Sequence, residues 1–185
     1  MPLVNERGLQ NVSADIYSKM LDKRHIFLQG VVDGNMASYA IPAVIWLSAL
    51  DPVAGITLMI NSPGGSVSDG IAIYETIRTK KLPYSAVVTG MAASMAAVLT
   101  VLADHRVMTK YSRLMLHAVS TNPGQAKYDD LCTTLEEIKV TQDTIVELIQ
   151  KRVGDKVDVA HYFQGTDKWL SADEALELGF IDEIL

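Results

Sequence analysis

Apolar positions recur along this chain in two periods, and the alternation between them lays out its elements. Ile16, Met20 and Leu21 form a helical stripe, with Ser13 as the expected N-cap of a helix running through Lys23. His25 to Val32 is a short apolar run broken by Gly30 and reads as a strand. Asn35 is expected to open a second helix to about Leu50, with Pro42 imposing a kink or a late start. Gly55 to Ile60 is the next strand, and Asn61-Ser62-Pro63-Gly64-Gly65-Ser66 is turn chemistry throughout, so a loop is expected there. Val67 to about Thr79 returns to the helical period, with Ile71, Ile73, Tyr74 and Ile77 facing inward.

Tyr84 to Thr89 is a third β-rich run, closed by Gly90. Behind it, Ala96 to Ala103 carries no charge, so its helix is expected to be buried on most sides. Arg106–Met108 and Leu114–His117 read as brief strands around a polar turn at Lys110-Tyr111-Ser112. Tyr128 to about Val153 is one long amphipathic helix with Leu131, Leu135, Ile138, Ile145, Leu148 and Ile149 on one side. Gly124-Gln125-Ala126 ahead of it reads as an arm leaving the globule toward another subunit. A short helix near Val157–Phe163 and a last helix with a Ser171/Glu174 capping box, ended by Gly179, complete the chain. Strand, loop and helix in succession imply an α/β fold of repeated βα units with a mostly parallel sheet.

Composition narrows the class. A chain of 185 residues, 49% hydrophobic, has the length of one domain and buries most of its unfolded surface without disulfides or metals. A net charge of −6 with no basic cluster argues against a nucleic-acid surface. The single Cys132 has no partner for an internal disulfide, which fits a reducing, cytoplasmic setting, and its place in a helical pattern reads as a spacer. Met1–Gln10 lacks the apolar core of a secretory signal, and the longest apolar run, Met91–Ala103, is too short to span a bilayer. No nucleotide loop and no clustered Cys/His ligands occur, so no cofactor or metal is expected in the chain itself.

The candidate chemistry centres on Gly90-Met91-Ala92-Ala93-Ser94-Met95-Ala96, where a buried strand gives way to a helix. Ser94 at a helix start has unpaired N–H groups and the positive dipole end beside it, able to stabilise an oxyanion. The same position suits a plain N-cap. A serine nucleophile needs a histidine base and a group to orient it. Of the four histidines, His25 precedes a core strand, His105 lies in a charged turn and His161 in a short helix. His117 closes an apolar strand, at the edge where a parallel sheet presents its chemistry. Among acids Asp167 stands out because Trp169 and Leu170 follow and are expected to hold its loop against the core. Gly64-Gly65 offers further backbone N–H groups for close approach, or an ordinary tight turn.

Five blocks, in order, carry a resemblance that covers nearly the whole chain. They are Asp15-Ile16-Tyr17-Ser18-Lys19-Met20-Leu21, Ile60-Asn61-Ser62-Pro63-Gly64-Gly65-Ser66-Val67, Gly90-Met91-Ala92-Ala93-Ser94-Met95, Met115-Leu116-His117 and Asp167-Lys168-Trp169-Leu170-Ser171-Ala172. Together they resemble the ClpP family, the proteolytic subunits of the Clp protease. The resemblance implies a single peptidase domain over residues 1–185 with the ClpP/crotonase-like fold. It implies an N-terminal segment over residues 1–10 and a projecting strand-helix handle over about 118–153. It further implies Ser94 as nucleophile, His117 as general base, Asp167 as the orienting acid, and the N–H groups of Gly65 and Met95 as the oxyanion hole. Assembly into heptameric or stacked heptameric rings of itself or a paralogue follows, with an AAA+ ATPase feeding in unfolded proteins or peptides and consuming the ATP.

Several positions depart from that family pattern. Ala118-Val119-Ser120-Thr121-Asn122-Pro123 replaces the usual Gln-Pro and glycine-rich stretch, Gly165-Thr166 replaces a common Asp-Arg pair, and Ala96 replaces a glycine. Thr57 and Met59 stand where tyrosines often line the ATPase-docking cleft, and the chain stops at Leu185 without the usual tail. These departures keep two alternatives open beside the ATPase-fed peptidase: a phage-type head-maturation protease with the same triad, and a structural ring subunit that needs an active paralogue.

Overall fold

The apolar runs of the sequence become the strands of one twisted sheet in a computed structural model that describes residues 3–4, 14–121, 124–125 and 127–185. In chain order the elements are β1 (Leu3–Val4), β2 (Ala14–Asp15), α1 (Ile16–Asp22), β3 (His25–Val32), α2 (Gly34–Leu50), β4 (Ile56–Gly65) and α3 (Val67–Lys80). Then come β5 (Tyr84–Ala93), α4 (Met95–Val101), β6 (His105–Met108), β7 (Arg113–Leu116), α5 (Tyr128–Val153), β8 (Lys168–Ser171), α6 (Ala172–Glu177) and β9 (Glu183–Ile184). A 3₁₀ turn at Val159–Phe163 occupies the place of the short helix expected over Val157–Phe163.

The main sheet runs β3-β4-β5-β6-β9, parallel at every step, with β7 parallel to β5 and β8 antiparallel to β7. β5 changes partner along its length: Ser85–Val88 pair with β6, whereas Met91–Ala93 pair with β7. The sheet therefore splits at the C-terminal ends of its parallel strands, where such folds place their ligands. α4, wholly buried as its lack of charge requires, fills the space between that split, α3 and α5.

Several boundaries move from their expected places. Ser13 lies outside the described residues, and α1 is capped by Asp15, whose carboxylate accepts the N–H groups of Tyr17 and Ser18. Asp33, not Asn35, caps α2 through the N–H groups of Asn35 and Met36, the ionised oxygen being the stronger acceptor. α2 then runs through Pro42 from Gly34, with no late start. The expected loop at Asn61–Gly65 is strand: β4 bulges at Ser62–Pro63, two residues opposite the single Gly30 of β3, so Pro63 sits where the ladder skips a pairing and its missing N–H costs nothing. Of the inward candidates on α3, Ile73 and Ile77 are buried, while Ile71 and Tyr74 are half-buried.

Two surfaces are more apolar than a lone domain requires. α2 has no charged residue and turns Ile45, Trp46 and Leu50 outward. α5 buries only Ile145, Ile149 and Val153, so everything before Ile145 is half-buried or exposed. Of the arm at Gly124–Ala126, Gly124 and Gln125 are exposed and Ala126 is outside the described residues. Among the described residues no helix is long and apolar enough to cross a membrane.

Candidate active site

The centre of the site is a strained residue. Ser94 stands between β5 and α4 with φ 53° and ψ −124°, a conformation that non-glycine residues avoid and that persists only when its surroundings fix it. They do so from two sides. The Ser94 N–H donates to the Met115 carbonyl of β7 at 2.8 Å, and its own carbonyl accepts from Val98 to start α4. On the other side Gly64 presses so closely that a Cβ there would lie 2.5 Å from the Ala93 carbonyl, 2.7 Å from Ser94 Cβ and 2.9 Å from the Met95 nitrogen. The buried Ser62 hydroxyl accepts the Gly64 N–H and holds that turn.

Position alone left Ser94 open to being an ordinary N-cap. Its hydroxyl makes no capping bond to α4. It lies instead 2.8 Å from Nε2 of His117, one residue beyond the end of β7. With the hydroxyl donating, Nε2 is the basic nitrogen and Nδ1 carries the ring proton. The other histidines are spent elsewhere: His25 Nδ1 lies against the Lys23 carbonyl, His105 faces Glu183, and His161 meets Tyr162 edge-on.

Asp167 is exposed, and among the described residues no hydrogen bond joins it to His117. The antiparallel ladder nevertheless leads to it. Leu116 pairs with Lys168, so one further step sets His117 across from Asp167. The anchoring expected of Trp169 and Leu170 is divided: Leu170 is buried, but Trp169 is 44% exposed. Strand β8 itself was not legible as a strand.

Gly65 and Met95 line the same cleft as Ser94 and His117, so both backbones border the place where a substrate carbonyl would lie. Apart from Ser120 the rest of the lining is apolar and was missed in the sequence: Val67, Val98, Leu116, Val119, Ile145 and Phe163 converge from five separate segments. Only the inward period of α5 signalled one of them, Ile145. The cleft is small, about 50 Å³. Among the described residues no group of three or more His, Cys, Asp or Glu side chains is placed to hold a metal ion.

The strained serine and the histidine joined to it both lie within a stretch whose sequence resembles known proteins. The family model for Clp protease matches residues 8–185. ATP-dependent Clp protease proteolytic subunits from Streptococcus pneumoniae strains Hungary19A-6 and CGSP14 are each 36% identical over 176 residues, covering 94% of this chain and 90% of theirs. With the match spanning fold, elbow and histidine alike, the chain belongs to the Clp protease family of serine peptidases.

Proposed function

We propose that the chain hydrolyses peptide bonds with Ser94 as nucleophile, His117 as general base and Asp167 as the residue that orients the imidazole. The observation that carries this reading is the 2.8 Å contact from the Ser94 hydroxyl to His117 Nε2, made in place of a helix cap. Nε2 takes the hydroxyl proton as Oγ bonds to the substrate carbonyl carbon. The oxyanion so formed is held by the N–H groups of Gly65 and Met95. The protonated imidazole then gives its proton to the leaving amine, and water, deprotonated by the same nitrogen, releases the acyl half. For Asp167 to act, its carboxylate must turn toward Nδ1, which the β7–β8 register makes a local movement.

The apolar cleft selects the side chain on the acyl side of the scissile bond. An engineered apolar cavity of about 150 Å³ accepts benzene, so a cleft near 50 Å³ favours aliphatic side chains over aromatic ones. No cofactor in the chain is needed for these steps. Assembly into heptameric or stacked rings would cover the outward Ile45, Trp46 and Leu50 and the exposed apolar Tyr128, Leu135 and Val140 of α5. An AAA+ partner would deliver unfolded protein in the cytoplasm, in keeping with the ATP-dependent relatives. The disengaged Asp167 gives weight to a second reading, a ring subunit whose triad closes only beside an active paralogue.

Intact mass after fluorophosphonate treatment of the purified assembly, beside Ser94→Ala, separates the two. Stoichiometric labelling of the wild-type chain alone is expected. Absence of labelling in a well-folded oligomer refutes a self-sufficient nucleophile and moves the chain to the second reading.

A further inference from the structure

Beside the apolar cleft lies a second, larger and more open groove of about 700 Å³, within the range of ligand sites. It shares Gly65, Val67, Val119 and Ser120 with the cleft and continues it along the first half of α5. Seven serine and threonine side chains line it among the apolar Val67, Ile71, Val119 and Ile138, and among the described residues Glu137 is its only charged one. Glu137 is exposed, and among the described residues it forms no ion pair. From this arrangement we propose that Glu137 is a specificity-determining residue that selects substrates with a lysine or arginine flanking the scissile bond.

Helix geometry sets the distance. Ile145 lines the apolar cleft, while Thr141 and Glu137 line the groove, four and eight residues earlier on α5. At 1.5 Å per residue, Glu137 stands about 12 Å along the helix from Ile145. An extended peptide advances about 3.3 Å per residue, so the side chain facing Glu137 belongs to a residue two to four positions from the one in the cleft. The hydroxyls donate to and accept from a peptide backbone without regard to sequence, which leaves the carboxylate as the group that discriminates by charge. Because Glu137 is exposed, the attraction it offers is modest and screened by salt.

This inference rests on the proposed peptidase reading, so its test includes a measurement that does not depend on turnover. Two sets of labelled peptides share one aliphatic side chain for the cleft and carry either lysine or glutamate at each flanking position in turn. Their binding to Ser94→Ala is measured by fluorescence anisotropy and their hydrolysis by the wild-type chain as kcat/KM. The lysine peptide is expected to bind about fivefold tighter than the glutamate peptide at one position, a ratio that shrinks with added salt. In hydrolysis the preference should sit in KM, because Glu137 is remote from the reacting atoms. Glu137→Gln should bring the ratio near unity and Glu137→Lys should invert it, whereas Glu136→Gln, outside the groove, should leave it unchanged. Equal binding of the two sets at every position, or a preference that survives Glu137→Gln, overturns the assignment. Failure of Ser94 to label while the binding preference holds would defeat the peptidase reading alone.

Discussion

Replacing Gly64 with alanine tests whether the nucleophile is held by close approach of a neighbouring strand. The added Cβ would stand 2.5 Å from the Ala93 carbonyl, about 0.9 Å short of the 3.4 Å at which ordinary contact begins. The three atoms nearest to it belong to Ala93, Ser94 and Met95, two of them backbone and the third a Cβ, so none is the end of a flexible side chain that could give way. Overpacking of this kind costs about 1–3 kcal/mol. Gly64 also has φ +85°, which adds about 1–2 kcal/mol for a side chain in the left-handed region. The sum, about 2–5 kcal/mol, lies below the typical stability of a domain, about 5–15 kcal/mol, so the variant should fold. At about 2–4 °C per kcal/mol for a chain of this length, Tm should fall by roughly 5–20 °C.

The larger effect belongs to catalysis. A misplacement near 1 Å costs about a hundredfold in rate, and losing an oxyanion donor costs about a hundredfold to a thousandfold. Gly64→Ala moves both Ser94 and the Met95 N–H. Its kcat should drop at least about a hundredfold. Gly30 supplies the control: φ is +82°, but nothing lies within 4 Å of the Cβ position. Gly30→Ala should lose only the strain share of stability and keep its activity. Melting curves by circular dichroism, fluorophosphonate labelling rates and kcat on an aliphatic peptide, each well below the variant's Tm, make the comparison. A folded Gly64→Ala within threefold of the wild-type rate would refute the argument that this contact sets the elbow.

Four further substitutions probe separate parts of the structure. Asp167→Asn should lower kcat by roughly a thousandfold to ten-thousandfold if the carboxylate orients His117 in the working enzyme, and by only a few-fold if it never engages, as measured under saturating peptide. Ile145→Ala opens the apolar cleft, so the ratio of kcat/KM for phenylalanine over alanine peptides should rise, at a cost of about 2–5 kcal/mol in melting experiments. Arg24 donates to the carbonyls of Leu47, Asp51, Ala54 and Gly55, and Arg24→Ala should lower Tm and speed proteolytic cutting after Leu50 without altering Ser94 labelling. Arg106 is buried against Asp182 and the Gly179 carbonyl, and its bonds hold the Asp182 carboxyl below the ordinary carboxylate range. Arg106→Ala should cost about 2–4 kcal/mol, the upper end discounted because Asp182 is partly open to solvent. A depressed folded-state pKa contributes stability in full above the unfolded value. That part of the difference from wild type should therefore persist at neutral pH and shrink as acid titrates Asp182, below about pH 4 in urea melts.

What could be read from sequence, and what could not, follows from how local each cause is. Continuous apolar runs such as Leu58 and Ile60 in β4 or Ala86 and Val88 in β5 mark buried parallel strands by themselves, and the uncharged run through Leu99 marks a helix buried all round. The caps at Asp15 and Asp33 were missed by two residues because serine, asparagine and aspartate share the same signal, and only the helix geometry decides which oxygen reaches the N–H groups. The strand through Asn61–Gly65 was hidden because its turn-forming residues are reconciled with pairing by a bulge at Ser62–Pro63, which only the partner strand β3, about thirty residues earlier, defines.

The same distinction explains the uneven state of the candidate triad. Ser94 is fixed on three sides, by β7, by Gly64 and by the start of α4, and its block of small residues is the trace those contacts leave in the sequence. His117 follows directly from β7, whose other side pairs with β5, so this histidine is tied to the body of the sheet. Asp167 depends on β8, which pairs with β7 alone and sits at the edge, with only Leu170 of its two large apolar residues buried. An edge strand of four residues with one ladder and one anchor yields more easily than the packed strands it borders. Its Lys168-Trp169-Leu170-Ser171 lacks a clean apolar alternation for the same reason that it leaves Asp167 free to turn: too little of β8 is held by the core to leave a pattern. The acid is thus the member of the site that a neighbouring surface can most readily set, and the exposed Trp169 beside it is where such a surface would press.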